Sequence, residues 1–357
     1  MPSIDAVGTA LPPYTLAQDR VKEFARAMFG DAFPDIDRLI AVYDNSEIEC
    51  RHFCVPLEWF AREQSFEHRN DLYIENAIRL STQATACCLE NAGLRHEDID
   101  YILFVSTTGI STPSIDAHLI ERLPFRRTIK RLPIWGLGCA GGAASLSRAM
   151  EIARAVPTAR ILIVVTELCG LTFLRNDLGK SALIASSLFA DGSAAVIVTG
   201  DQVPSSPSAP RLLASYTNTL RNSLDVMGWD IGNEGFRVMI SRDIPTIVRT
   251  FMRESIQAFL AEQQLAMECV EHFIAHPGGA KVLDAYAESL GLPEESLRHT
   301  RAILRRCGNM SAVSVLFVLD RFMREIAAAP SAERQYGLAC ALGPGFASEQ
   351  VLLQWNS

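Results

Sequence analysis

The chain has 357 residues, 48% of them hydrophobic and 21% charged, and carries a net charge of −8. That length exceeds what one hydrophobic core usually fills, so two subdomains are expected, and the acidic balance argues against a nucleic-acid-binding surface. No apolar run is long enough to span a membrane. The first twenty residues lack a basic segment followed by a long apolar one, so neither a membrane span nor a signal peptide is expected. Nine cysteines at irregular spacing fit free thiols in a reducing, cytoplasmic setting, and no ligand set with metal spacing is present.

In chain order, Ile4–Thr9 reads as a first strand ended by Pro12 and Pro13. Leu16–Phe29 and Phe33–Asn45 have helical spacing, Glu49–Pro56 reads as irregular, and Glu58–Asn70 as a charged surface segment. Asp71–Ala92 is an amphipathic helix stopped by Gly93, followed by the apolar strand Tyr101–Thr107 and a helix over Ser114–Arg122. Arg160–Glu167 and Ala194–Thr199 are apolar strands flanking a helix near Lys180–Ser187. Continuous apolar strands alternating with helices predict an α/β sheet covered on both faces. The Pro/Ser-rich stretch Val203–Arg211 divides the chain into residues 1–202 and 203–357. The second part repeats the first in outline, with helices over Phe251–Leu265, Lys281–Leu290 and Met310–Met323 and strands at His272–His276, Gly337–Leu342 and Gln350–Trp355.

Three polar residues stand at junctions. Cys139, in Leu132–Ala155 (LPIWGLGCAGGAASLSRAMEIARA), follows a strand and a Gly-Leu-Gly turn and opens a small-residue helix. A helix start favours a thiolate there, although a buried, inert cysteine fits the same pattern. His276 follows an apolar strand and precedes Pro277-Gly278-Gly279, at the strand edge where α/β ligands gather. Asn309, between Gly308 and a helix, reads equally well as an N-cap. Together they make a coherent set: a thiolate attacks an acyl carbonyl, an imidazole exchanges charge with it, and His and Asn side chains hold a developing oxyanion. His52, His68, His96, His118, His272 and His299 read as surface or capping groups.

The sequence resembles the type III polyketide synthases, the chalcone synthase-like branch of the thiolase-fold condensing enzymes. The resemblance rests on five ordered motifs: GCAGG around Cys139, LFADGSAAVIV with Phe189, AHPGG with His276, GNMSAVSVLFVLD with Asn309, and GPG at Gly343, Pro344 and Gly345. It implies a thiolase-like fold of two duplicated βαβαβ halves in a layered αβαβα core. It further implies Cys139 as acyl-accepting nucleophile, His276 as its cationic partner, and His276 with Asn309 as stabilisers of the enolate from malonyl-CoA. No metal or redox cofactor is implied, and a homodimer is expected by analogy. Phe189 matches a gatekeeper. A second gatekeeper falls at Phe236 or Val238, the register being open. Thr112 stands where plant enzymes extend a methionine into the partner subunit, Cys169 and Thr172 fall in the elongation pocket, and the Gly343-Pro344-Gly345 loop borders it. Of the family's basic cluster for coenzyme A, Arg38 fits one position while Ala41 and Asn45 occupy the others.

These departures lean toward a roomy apolar cavity and a fatty acyl-CoA starter extended with malonyl-CoA to an alkylpyrone or alkylresorcinol. The alternative is a synthase using malonyl-CoA alone, giving a small phenolic or naphthalene product. A β-ketoacyl-ACP synthase III would share the residue set but typically reads HQAN where this chain has His276-Pro277-Gly278-Gly279. A papain-type protease would carry its cysteine near the mature N-terminus, and a non-catalytic binding protein would be expected to lose one of the three residues.

Overall fold

The computed structural model describes residues 1–206 and 208–355. Its strands are β1 (Ser3–Ala10), β2 (Tyr14–Ala17), β3 (Cys50–Phe53), β4 (Tyr101–Val105), β5 (Lys130–Ile134), β6 (Arg160–Leu168), β7 (Asp191–Thr199), β8 (Arg211–Thr219), β9 (Met227–Gly232), β10 (Gly235–Ile240), β11 (Val270–Ala275), β12 (Gln335–Gly343) and β13 (Ala347–Trp355). Nine of these line up in the order β11-β12-β13-β8-β1-β7-β6-β4-β5. The β1–β8 seam is narrow, with Ser3 opposite Arg211 the one paired register position. On one side lie strands from the first part of the chain, on the other those from the second.

Strands buried on both faces explain the unbroken apolar runs. In β4, Leu103 and Val105 join a core built around the helices Gly141–Ala155 and Ser314–Ala328, whereas Ile102 and Phe104 pack with Tyr73, Ala77 and Leu80 of the helix Phe66–Ala92. The same alternation holds in the second part. Ile274 and Ala339 face the central helices, and Phe273, Ala275 and Leu338 face Phe259 and Leu283 of two outer helices. The result is helix, sheet, helix pair, sheet and helices, the αβαβα layering of the thiolase-like fold. Each fully buried Leu, Ile or Phe contributes about 1.5–3 kcal/mol to holding the layers together.

Local chemistry sets several boundaries. The Ser65 hydroxyl accepts from the His68 N–H and caps Phe66–Ala92, while Gly93 takes the left-handed conformation (φ 64°) that ends it. The helix thus starts five residues before Asp71, inside the stretch read as a charged surface segment. Tyr14–Ala17 is extended and pairs with Cys50–Phe53, so Leu16 is not helical and the stretch 49–56, read as irregular, contains a short strand. The expected helix over 33–45 is two short turns, Ile36–Leu39 and Ala41–Asp44. The β9–β10 hairpin, pairing Gly232 with Gly235 across a two-residue loop, was not anticipated and roofs the site described next. No helix among the described residues is long and apolar enough to cross a membrane.

Candidate active site

Cys139 sits in the tight turn Gly138–Ala140, immediately before the helix Gly141–Ala155, and is 5% exposed. The turn tolerates little bulk. Gly138 has φ +48°, and a Cβ there would lie 2.6 Å from the Pro344 ring. At Gly142 a Cβ would lie 2.2 Å from the Ala312 carbonyl, so the small-residue helix start is what lets the Asn309–Val313 segment approach. The Gly138 N–H donates to Thr107 Oγ1 at 3.0 Å.

His276 closes β11, its N–H bonded to the Cys340 carbonyl at 2.9 Å; it is 5% exposed and neither ring nitrogen has a protein partner. Asn309 is not a simple N-cap. Its backbone bridges Phe189 in parallel fashion, donating to the Leu188 carbonyl and accepting from the Ala190 N–H, both at 2.9 Å. Its side-chain amide donates to the Gly278 carbonyl at 3.2 Å, and Oδ1 accepts from the Ser311 N–H at 2.8 Å. Cys139, His276, Asn309 and Phe189 line one cavity of about 420 Å³.

Cys139, His276 and Asn309 are all buried, and burial sets their electrostatics. Burial pushes the Cys139 thiol up to about 12, with the Ser311 hydroxyl acting the other way and the nearby Glu167 charge reinforcing it. Burial also drives His276 down to about 3. The helix start therefore does not by itself favour a thiolate, because desolvating a lone charge outweighs a terminal dipole worth about 0.3–1 kcal/mol. A charge on either group is less costly when the other carries the opposite one.

A second, apolar recess begins behind Phe189 and runs under the helix Gln18–Phe29, lined among others by Val21, Phe24, Ala25, Met28 and Phe29. Phe189, Cys169, Trp229 and Val238 border both this recess and a small chamber that Cys139 and Pro344 also line. Thr172 and Phe236 line the recess; the Thr172 hydroxyl is turned onto the Cys169 carbonyl at 2.8 Å. The open register on β10 thus has a structural answer. Val238 faces the Cys139 chamber, and Phe236 packs farther out against Phe66 and Trp229. Gly343 lies against the nucleophile turn, where a Cβ would meet the Leu137 carbonyl at 2.4 Å; Gly345 follows Pro344 with φ +135°. Thr112 is exposed and lines none of the described cavities of its own chain. Arg38 reaches the mouth of the main cavity but is engaged by Asp35. His272, read as a surface group, is instead buried between the rings of Phe322 and Trp355.

Sequence reasoning missed Glu167. It is fully buried and accepts from the Thr107 N–H at 2.9 Å, the Thr108 hydroxyl at 2.8 Å and the Ser311 hydroxyl at 3.3 Å. Burial pushes its carboxyl up to about 7 against those bonds. The signal was present: a single acid near the carboxyl end of the mainly apolar strand RILIVVTEL. Ser311 itself holds a positive φ of 50°, a strained position for a residue with a side chain.

A cysteine at a helix start, a strand-end histidine and a looped asparagine, gathered between duplicated sheets, define a condensing enzyme of the thiolase type. Residues 2–202 match the chalcone and stilbene synthase N-terminal domain, and residues 211–355 the C-terminal domain of the same enzymes. The chain belongs to this family, the type III polyketide synthases, and is an acyltransferase. It is 43% identical over 100% of its length to a Bacillus subtilis (strain 168) protein classed with the chalcone synthases, covering 99% of that protein. It is 35% identical to the 1,3,6,8-tetrahydroxynaphthalene synthase of Streptomyces peucetius subsp. caesius, covering 99% of this chain and 93% of that one. The solved structure of the corresponding Streptomyces coelicolor A3(2) enzyme, described as a bacterial type III polyketide synthase, superposes with a TM-score of 0.93 at 29% identity, covering 99% of each chain.

Proposed function

We propose that this enzyme loads a fatty acyl group from coenzyme A onto Cys139, extends it two or three times with malonyl-CoA, and releases an alkylpyrone or alkylresorcinol. The Cys139 thiolate attacks the starter thioester and the CoA thiolate leaves. Malonyl-CoA then loses CO2, and its enolate oxygen is held by His276 and Asn309 while the enolate carbon attacks the Cys139 thioester, freeing the thiolate. Donors aimed at such an oxyanion in a dry site lower the barrier by about 3–4 kcal/mol each. No metal or redox cofactor enters this scheme. The chain acts as a homodimer in the cytoplasm; in support, Ile110, Leu132 and Trp135 are exposed together around the edge strand β5 and its neighbouring loop, beside Thr112.

The observation that carries the lipid starter is the recess behind Phe189, whose Val21, Phe24, Met28 and Phe29 lining suits a hydrocarbon chain. The second reading, malonyl-CoA alone giving a phenolic or naphthalene product, is favoured by the kinship to a tetrahydroxynaphthalene synthase. Mass spectrometry of products from malonyl-CoA with acyl-CoA starters from C2 to C18, beside a Cys139→Ala control, decides between them. Pyrone or resorcinol masses peaking with long starters support the first reading. Product from malonyl-CoA alone, with none from C8–C18 starters, supports the second.

A further inference from the structure

Two of the nine free thiols stand opposite each other beside Asn309 and take no part in the condensation chemistry. Cys50 opens β3 and is half-buried, whereas Cys307 ends the helix Arg298–Cys307, is buried, and lies two residues before Asn309. The backbone brings the two together. The Glu49 N–H donates to the Arg305 carbonyl at 2.8 Å, and the Cys50 thiol donates to the Arg306 carbonyl at 3.2 Å. One step further along both segments, a Cβ on Gly308 would lie 2.7 Å from Arg51 Cγ. Contacts of Glu49 with Arg305 and of Arg51 with Gly308 thus bracket Cys50 and Cys307. A planar peptide holds its carbonyl oxygen about 2.8 Å from the next Cα, so Cys50 Sγ lies within roughly 6 Å of the Cys307 Cα. Segments in contact on both sides of a cysteine pair meet the spacing a disulfide requires, a Cα separation of about 4.4–6.8 Å. The thiols also sense each other: burial raises Cys307 to about 11, and negative charge on Cys50 adds to the rise.

A single free cysteine is ordinarily a small core residue, and Cys307 does share the central core with Ile303 and Met310. Cys50 has no such place; it belongs to none of the buried clusters, and its sulfur is turned onto the end of the facing helix. What connects the pair to the active site is the absence of slack beyond Cys307. Gly308 holds a φ of +69° against the Arg51 side chain, and the Asn309 N–H is tied directly to the Leu188 carbonyl at 2.9 Å. Drawing the Cys307 sulfur out of the core toward β3 therefore moves the start of the Asn309 loop.

We propose that Cys50 and Cys307 are a redox modification site, closing reversibly to a disulfide that displaces Asn309 and switches condensation off. The switch rests on the reading that Asn309 holds the malonyl-derived enolate. A small disulfide such as glutathione disulfide is the oxidant. The Cys50 thiolate, the more accessible of the two, attacks one of its sulfurs and expels a glutathione thiolate. The Cys307 thiolate then attacks Cys50 Sγ in that mixed disulfide and expels the second glutathione. The protein loses two electrons and two protons, and both appear in two molecules of reduced glutathione; a dithiol reverses the sequence.

The test incubates the full-length protein with glutathione disulfide and then with dithiothreitol, beside Cys50→Ser and Asn309→Ala. Peptide mass spectrometry without reduction should find Cys50 linked to Cys307, with no glutathione retained. CO2 release from malonyl-CoA should fall about 10–100-fold on oxidation, the scale expected when a positioned group shifts by about 1 Å, and return with dithiothreitol. Cys50→Ser should match the parent before oxidation and keep its activity afterwards. Absence of the link, a link that leaves CO2 release unchanged, or an equal loss in Cys50→Ser would overturn the proposal. The link itself is read without turnover, so the two ideas separate. A link without effect while Asn309→Ala is impaired counts against the switch alone, whereas parent-like CO2 release by Asn309→Ala removes the reading of Asn309 and the switch with it.

Discussion

The Asn309 side chain donates to the carbonyl of Gly278, two residues beyond His276, at 3.2 Å. This one bond joins the loop that follows β11 to the loop that precedes the helix Ser314–Ala328, and so fixes the two proposed oxyanion donors relative to each other. The Ser311 N–H holds the other end of the same amide, leaving it little freedom to rotate. Preorganisation of this kind is what makes a donor effective as charge develops.

Replacing Asn309 with Ala should therefore cut malonyl-CoA decarboxylation about 100–1,000-fold, the usual loss for one oxyanion donor. Alkylation of Cys139 by iodoacetamide should proceed within a few-fold of the parent rate. A carboxyl-labelled malonyl-CoA assay reads the first quantity and mass spectrometry the second. Parent-like CO2 release would remove Asn309 from the mechanism.

Gly142 is a packing prediction. Its missing Cβ would fall 2.2 Å from the Ala312 carbonyl, a backbone atom that cannot swing aside. Gly142→Ala should lower stability by about 2–3 kcal/mol, on the scale of overpacked cores, despite alanine's better helix propensity. Chemical denaturation measures this, and a neutral or stabilising result would show that the two central helices can slide apart.

Glu167 gives a pH prediction. Its folded-state carboxyl is raised from 4.5 to about 7, so between those values the native state holds more protons than the unfolded chain. Stability then falls as pH rises through that window, by up to roughly 3 kcal/mol from this one group. Glu167→Gln should remove that component, so its stability relative to the parent improves steadily from pH 4.5 to 7 and levels off above. Parallel stability curves would mean that Glu167 is ionised throughout.

Ala25, 2% exposed on the recess wall, tests the acyl pocket. Ala25→Leu should shorten the preferred starter by about two to four carbons, since each methylene that no longer fits costs roughly tenfold or more in kcat/KM. Competition among C6–C18 acyl-CoAs measures the shift. An unaltered profile would place the chain elsewhere.

Much of this protein was legible in its sequence because the signals are local. Largely apolar strands of five to nine residues marked β4, β6 and β7, since strands covered on both faces need few polar residues. Cys139, His276 and Asn309 could be singled out because each stands where a regular element starts or stops, and the ordered motifs around them indicated the family. Boundaries set by long-range pairing were not legible: β2 is a strand only because Cys50–Phe53 lies beside it, some thirty-five residues further on. Nor was Glu167, whose meaning depends on Thr108 and Ser311 reaching it from distant segments. Only the tertiary structure decided that Val238 rather than Phe236 borders the Cys139 chamber, because the two share one face of β10 and differ only in how far along the hairpin they lie from Cys139. It also decided the ionic character of the centre. Helix starts and residue types are written in the chain, but desolvation depends on everything packed around a group, and here it outweighs the helix end at Cys139.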